Sequence, residues 1–406
     1  MINRLEQARI LMYSHDTFGL GHLRRCRAIA HALVERFKGL YVLIVSGSQI
    51  AGTFDFRARV DFVKIPSVIK LYNGQYTSID ELIDLQDTLT IRKAIIRNTA
   101  EAFNPNIMIV DKEPLGLKGE MEETLAMLKA RGTTAILGLR DVMDAPDALE
   151  REWKAQNVLE KIDEYYDEVW VYGTPGFYDP LTDLEGREKL LSKITYTGFL
   201  KRHLPAVRYP GALPFTNPHI LVTAGGGGDG AALIEWVLSA YERDKTLPHP
   251  AVMVLGPFMP IRARETLRRR ADALENVHMI EFDNRMEALM AGAIGVVSMG
   301  GYNTFCEILS FDKRAIIVPR TEPRKEQLIR AERANELGLV GLLHPDDAGD
   351  PQIMARALHS LPVRTLPSHA GGEGLLDGFE AIGASVERHM SGQSRRAFTV
   401  IEGRNR

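Results

Sequence analysis

Cysteine is nearly missing: 406 residues hold two, Cys26 and Cys306. They lie far apart and form no C-x-x-C pair, which argues against a disulfide framework or a structural zinc. No apolar run approaches the roughly 20 residues needed to span a bilayer. The first seven residues carry no apolar signal-peptide core, so the chain is expected to stay in the cytoplasm. An excess of one charge is lacking too. The net charge is −3 and neither half is strongly basic, so a nucleic-acid partner is not expected. Two phosphate signatures are missing as well. Gly19-Leu20-Gly21 runs on into His22, Leu23 and Arg24, without the third glycine of a dinucleotide fingerprint, and there is no G-x-x-x-x-G-K-[S/T]. No D-x-D pair occurs.

What is present is an ordinary globular composition, 45% hydrophobic and 25% charged, in a chain long enough for two cores. Short apolar runs read as strands at residues 8–13, 40–45, 61–65, 107–110, 134–139 and 168–172. Helical patterns fall between most of them, at 23–37, 80–103, 120–131 and 148–162. The plan then repeats, with strands at 219–223, 251–255, 277–281, 295–298 and 315–319 and a helix at 231–241. Strands alternating with helices imply mostly parallel sheets covered on both faces. The fold class is thus α/β, with two doubly wound, Rossmann-like domains, at 1–200 and 218–390. Pro205, Pro210, Pro214 and Pro218 mark residues 201–217 as a linker. Residues 391–406 are expected as a mobile polar tail.

Ligands of open α/β sheets bind beyond the carboxyl ends of the strands. Glycine there lets backbone approach a ligand, and a helix start offers free N–H groups and partial positive charge. Three segments qualify: Gly19–His22, Gly225–Gly230 and Ser298–Thr304. In the third, Gly300-Gly301 forms the turn, Asn303 is expected to cap a helix, and Glu307 follows one turn later. A carboxylate so placed can accept two hydrogen bonds from the vicinal hydroxyls of a ribose while the helix start holds phosphates.

Residues 279–342 carry Glu281-Phe282-Asp283-Asn284-Arg285-Met286, the Ser298-to-Glu307 segment, Ile316, Val318-Pro319 and Lys325-Glu326-Gln327. This pattern resembles the donor-binding half of MurG-like glycosyltransferases. Tyr196-Thr197-Gly198-Phe199 also looks like the segment closing the first domain in that family. Gly19-Leu20-Gly21-His22-Leu23-Arg24-Arg25-Cys26 is closer to the G-x-G-H-x-x-R-C of PseG-type UDP-sugar hydrolases. The resemblance implies the two-domain GT-B fold, with a UDP-sugar as co-substrate in the interdomain cleft and no other cofactor. It places Glu307 on the ribose and Gly300, Gly301, Asn303 and Thr304 at the diphosphate. Phe282 backbone reads the base, Glu326 and Gln327 touch the donor sugar, and Gly226, Gly227 and Gly228 line the cleft.

Without a D-x-D pair, arginines are the expected partners of the leaving diphosphate, with Arg320 and Arg324 as candidates. His22 is the candidate general base or acceptor-orienting group, with a structural histidine as its alternative and His15 as its competitor. Asp111 is placed to polarise His22 or to touch the acceptor. Arg24, Arg25 and Arg27 read either as a solvated helix face or as an attractor for an anionic acceptor, which leaves open a peripheral contact at the inner membrane face. The implied activity is metal-independent, inverting transfer of a hexose or N-acetylhexosamine from a UDP-sugar to a glycan or lipid-linked acceptor. A nucleotide-sugar hydrolase or 2-epimerase on the same scaffold, or a non-catalytic sugar-nucleotide-binding subunit, are the alternatives.

Overall fold

A computed structural model describes residues 7–15, 21–70, 76–79, 82–203, 215, 218–283 and 285–403. Gly19, Asn284 and most of the proline-rich linker lie outside the described residues. The first unit runs β1 (Arg9–Ser14), α1 (Gly21–Arg36), β2 (Tyr41–Ser46), β3 (Val60–Lys64), β4 (Val68–Lys70) and β5 (Tyr76–Ser78). It continues through α2 (Leu85–Phe103), β6 (Ile107–Asp111), α3 (Glu122–Ala130), β7 (Thr134–Arg140), α4 (Pro146–Ala155), α5 (Val158–Tyr165), β8 (Glu168–Tyr172) and β9 (Ile194–Tyr196). The second unit runs β10 (His219–Thr223), α6 (Ala231–Arg243), β11 (Ala251–Val254), α7 (Ile261–Ala271), β12 (Val277–Ile280), α8 (Met286–Gly292) and β13 (Ala293–Ser298). It ends with α9 (Tyr302–Ser310), β14 (Arg314–Ile317), α10 (Glu326–Glu336), β15 (Gly341–Leu342), α11 (Pro351–Ser360) and α12 (Gly378–Gly403).

Among the described residues the strands form a seven-stranded sheet, order β3-β2-β1-β6-β7-β8-β9, and a six-stranded sheet, order β12-β11-β10-β13-β14-β15, both parallel. A small antiparallel pair, β4 and β5, lies outside them. Buried β-branched and aliphatic runs such as Ile107–Asp111 fill the sheet interiors, as strands covered on both faces require. In each sheet the chain order reverses once, between β1 and β6 and between β10 and β13. Crevices for ligands open at such reversals.

Two expected elements differ. The helix expected at 148–162 is broken, because Asn157 adopts a left-handed conformation (φ 50°) between α4 and α5, which asparagine tolerates better than most residues. The segment expected as a mobile tail starts inside a helix, since α12 continues through Gly403.

That last helix returns to the first unit. The Trp170 indole donates to Ser385 Oγ at 3.1 Å, and Ser385 donates to Glu168 at 2.5 Å. Arg36 of α1 donates to Glu380 at 2.6 Å. Phe177, Phe199, Tyr302 and Phe305 meet where the units join, with ring centroids 5.1 Å (Phe177–Phe199) and 5.3 Å (Phe199–Phe305) apart. One apolar cluster thus runs from the first sheet into the second unit.

Candidate functional site

α1 is amphipathic, and Leu23, Cys26, Ile29, Ala30 and Leu33 bury its inner face against the first sheet. That packing fixes the helix start, and with it His22, at the reversal beside β1. Asp111 ends β6, the strand paired with β1. His22 Nδ1 lies 2.6 Å from Asp111 Oδ2. Arg25, one turn further along α1, donates to the same carboxylate through Nε (2.8 Å) and Nη2 (2.5 Å). Burial alone raises the Asp111 carboxyl, but the Arg25 guanidinium and the His22 hydrogen bond outweigh it and hold the group well below the usual carboxylate range. Burial pushes the His22 imidazole down to about 4, against the upward pull of Asp111. At neutral pH the ring is therefore neutral. An ionised Asp111 only accepts, so Nδ1 carries the proton and Nε2 keeps its lone pair. That is the arrangement of a base oriented by an acid.

His15, at the end of β1, is also buried, and its pKa falls to about 3, mainly through burial. Its ring centroid lies 5.7 Å from that of His22. Its Nδ1 is 3.4 Å from Tyr13 Oη, whose hydroxyl donates to Glu120 at 2.5 Å.

At the second reversal, Ser298 ends β13 and its Oγ accepts from Gly300 N at 3.3 Å. Gly300 has φ +73°, and a Cβ there would come within 2.7 Å of Ile317 Cγ2, so both conformation and space demand glycine. The helix cap is Gly301, not Asn303. Asn303 sits inside the first turn because its amide is used across the units. Its Nδ2 donates to Gly21 O at 2.9 Å, and its Oδ1 accepts from Arg202 at 2.7 Å. Thr304 is half-buried in the same turn.

Glu307 is 1% exposed and accepts a short hydrogen bond from Arg24 Nη2 of the first unit, which also donates to Glu287 at 3.0 Å. Burial raises the Glu307 carboxyl, Arg24 pulls it back and Glu287 adds to the rise. The acid expected at the ribose is thus buried where the two units meet, held by an arginine of the first unit.

The loop after β10 packs on the loop after β11. A Cβ on Gly227 would lie 2.3 Å from Leu255 O, and Phe258 N donates to Gly226 O at 2.9 Å. Gly228 continues that turn. Arg320 donates to Asp229 (2.6 Å) and Glu326 (2.5 Å), and its backbone N–H donates to Gln327 Oε1 at 3.1 Å. Arg324 instead crosses to the first unit and pairs with Glu152 (2.9 Å) and Asp144 (3.4 Å). Phe282 follows the edge strand β12 and is partly exposed. Among the described residues there is no group of three or more His, Cys, Asp or Glu side chains placed to hold a metal ion.

Sequence reasoning missed Arg25. The trio Arg24, Arg25 and Arg27 was expected to act as one solvated or anion-attracting face, yet it divides. Arg25 is 1% exposed on Asp111, Arg24 grips Glu307, and Arg27 donates to Asp55 O. The available signal was spacing: Arg25 lies four residues before Ile29, on the buried stripe. The buried pair of Arg330 with Asp141, at 2.7 and 2.6 Å, was missed as well. Each partner looks like a surface charge when read alone.

Residues 219–355 match the glycosyltransferase family 28 C-terminal domain. The chain has the GT-B fold. It is 31% identical over 162 residues to the spore coat polysaccharide biosynthesis protein SpsG of Bacillus subtilis (strain 168), a match covering 39% of this chain and 46% of that protein, so it spans about half of that relative's length. Among solved GT-B structures it resembles the calicheamicin glycosyltransferase CalG4 (TM-score 0.60, 16% identity, 95% of this chain and 99% of that one). It also resembles Acinetobacter baumannii MurG (TM-score 0.59, 11% identity, 94% and 99%). The UDP-GlcNAc 2-epimerase of Neisseria meningitidis shares the architecture (TM-score 0.55, 12% identity, 95% and 100%). The expected doubly wound pair of units is therefore the GT-B arrangement. Among the described residues no helix is long and apolar enough to cross a membrane.

Proposed function

We propose that this chain is a metal-independent, inverting glycosyltransferase that moves a hexose or N-acetylhexosamine from a UDP-sugar to a glycan or lipid-linked acceptor. The observation that carries the reading is the opposition of two strand-order reversals across one interface. The His22–Asp111 pair stands on one side, and the Gly300-Gly301 turn with Glu307 stands on the other. In this scheme His22 Nε2 takes the proton from the acceptor hydroxyl as it attacks the anomeric carbon, while the bond to the diphosphate breaks on the opposite face. Asp111 holds the tautomer and stabilises the imidazolium. The leaving diphosphate meets the backbone N–H groups at the start of α9 and cationic side chains, which stabilise the developing charge. The ribose hydroxyls replace Arg24 on Glu307, so the donor's entry releases that guanidinium toward the phosphates. Arg320, which donates to Glu326, assists in this scheme from the far side of that carboxylate.

A thermal-shift panel of UDP, GDP, TDP and their sugars tests the reading, followed by a search for sugar transfer with and without EDTA. A ligand at a hundredfold excess over its dissociation constant stabilises by about 2.7 kcal/mol, which such a panel resolves. Uridine-selective stabilisation and EDTA-insensitive transfer are expected. Free UDP and free sugar without an acceptor indicate a hydrolase. A reversible change of sugar configuration indicates an epimerase. No stabilisation by any nucleotide ends the proposal.

A further inference from the structure

The charges along the interface can be matched pair by pair. Arg25 has Asp111, Arg330 has Asp141, Arg320 has Asp229 and Glu326, and Arg324 has Glu152 and Asp144. Lys112 has Glu113, at 2.7 Å. Arg140, the last residue of β7, has no carboxylate within hydrogen-bond distance among the described residues. The carboxylate paired with it is Glu326, at 3.9 Å, and that same oxygen already accepts from Arg320. Its Nε is buried with no hydrogen-bond partner, although the side chain as a whole keeps 14% of its surface exposed.

Lys112 is the neighbour that sharpens the point. It follows Asp111 with φ 70°, a conformation uncommon for a side-chain-bearing residue. Its N–H is held by Gly138 O at 2.8 Å. Burial lowers its ammonium pKa, Glu113 pulls it back up, and Arg140 and Arg324 lower it further. Burial likewise takes the Arg140 guanidinium down to about 10, against the upward pull of Glu326 and Asp141 and with Arg25 and Arg330 pressing it down further. At the tips of β6 and β7, then, Lys112 is neutralised by Glu113, whereas Arg140 meets its carboxylate only at 3.9 Å and keeps a buried Nε without a hydrogen bond. A buried donor left without an acceptor is costly, and a guanidinium fork matches a carboxylate or phosphate.

We propose that Arg140, with Lys112 beside it, is an anion-recognition point for a carboxylate or phosphate carried on a substrate sugar. The inference rests on the nucleotide-sugar reading above and adds to it the charge of the sugar recognised. The same chemistry has two sources. The acid belongs to the transferred sugar if it reaches Arg140 from the Glu326 side, or to the acceptor if it enters along β6 past Lys112.

The test measures dissociation constants for UDP, UDP-glucose and UDP-glucuronate, and, with UDP saturating, for glucose and glucuronate. It uses wild type, Arg140→Gln, Arg140→Lys and the surface control Arg269→Gln. Wild type and the control should bind the acidic member of at least one pair tenfold or more tightly than the neutral one. Arg140→Gln should erase that preference and Arg140→Lys should weaken it, while affinity for UDP stays within twofold. A preference between the two UDP-sugars assigns the acid to the donor, and one between the free sugars assigns it to the acceptor. No charge preference in either pair, or one that survives in Arg140→Gln, overturns the proposal. If Arg140→Gln does not fold, an undiminished preference in Arg140→Lys overturns it. Wild type that binds UDP without charge preference defeats this inference alone. Wild type that binds no uridine compound defeats the parent reading as well.

Discussion

At the scale of single residues, the geometry around His22 makes two separable predictions. His22→Ala should lower turnover by about 10²- to 10⁴-fold, the usual contribution of a positioned general base, while the UDP dissociation constant stays near that of wild type. Single-turnover kinetics with a calorimetric titration checks both, and unchanged turnover removes His22 from the mechanism. The second prediction concerns pH. Unfolded histidine takes its proton near pH 6.5, whereas His22 takes it at about 4 and His15 at about 3 in the folded chain. Between those values the unfolded state binds more protons, so this pair makes stability rise with pH up to about 6.5 and contribute no further slope above it. The urea midpoint should therefore fall between pH 7 and pH 5, and a His15→Gln/His22→Gln double variant should show a shallower fall. Equal slopes in the two proteins would refute it. His22 and Asp111 were legible in the sequence because each ends or follows an apolar strand, where side chains reach a crevice. Arg25 was not, because an arginine on a helix reads as a solvated charge until its stripe position is weighed. Nor could sequence show that Arg24 holds Glu307, since 283 residues separate them.

At the scale of elements, the strands were readable wherever burial on both faces leaves a continuous apolar run, as in β6 and β10. The short strands β4, β5, β9 and β15 were not, because two or three residues carry no periodicity. Local signals also failed where a distant partner overrode them. Asn303 has the chemistry of a cap, yet Gly21 and Arg202 claim its amide, and Gly301 begins the helix. The last helix is the clearest case. Its apolar residues Ile382 and Val386 are buried in the cluster that begins with the first sheet, and Trp170, Ser385 and Glu168 tie it there. Ile382→Ala should then destabilise the protein by about 2–5 kcal/mol, the range for truncating a buried aliphatic side chain. Hydrogen exchange should show the loss in strands β1 and β8 as well as in α12. Exchange changes confined to α12 would mean that the helix docks without supporting the sheet.

At the scale of the whole molecule, the question is what couples the two units. The aromatic contacts around Phe199 supply apolar area, but they specify no charge at the joint. The Arg330–Asp141 pair does, because both side chains are essentially buried and the guanidinium also donates to Gly300 O at 3.1 Å. One residue therefore links the tip of β7 to the glycine turn proposed to meet phosphate. Removing one partner of a buried pair strands the other charge, which typically costs about 3–5 kcal/mol, whereas replacing both by apolar groups is often nearly neutral. Asp141→Ala should thus be strongly destabilising, Arg330→Met similarly so, and the double variant more stable than either. A double-mutant cycle in urea measures the coupling. The double variant should nevertheless bind UDP more weakly than wild type, because the Gly300 carbonyl loses its donor and the turn its support. If the two single losses simply add, the pair is not a coupled unit. If UDP affinity is untouched in the double variant, the glycine turn does not depend on Arg330 for its shape.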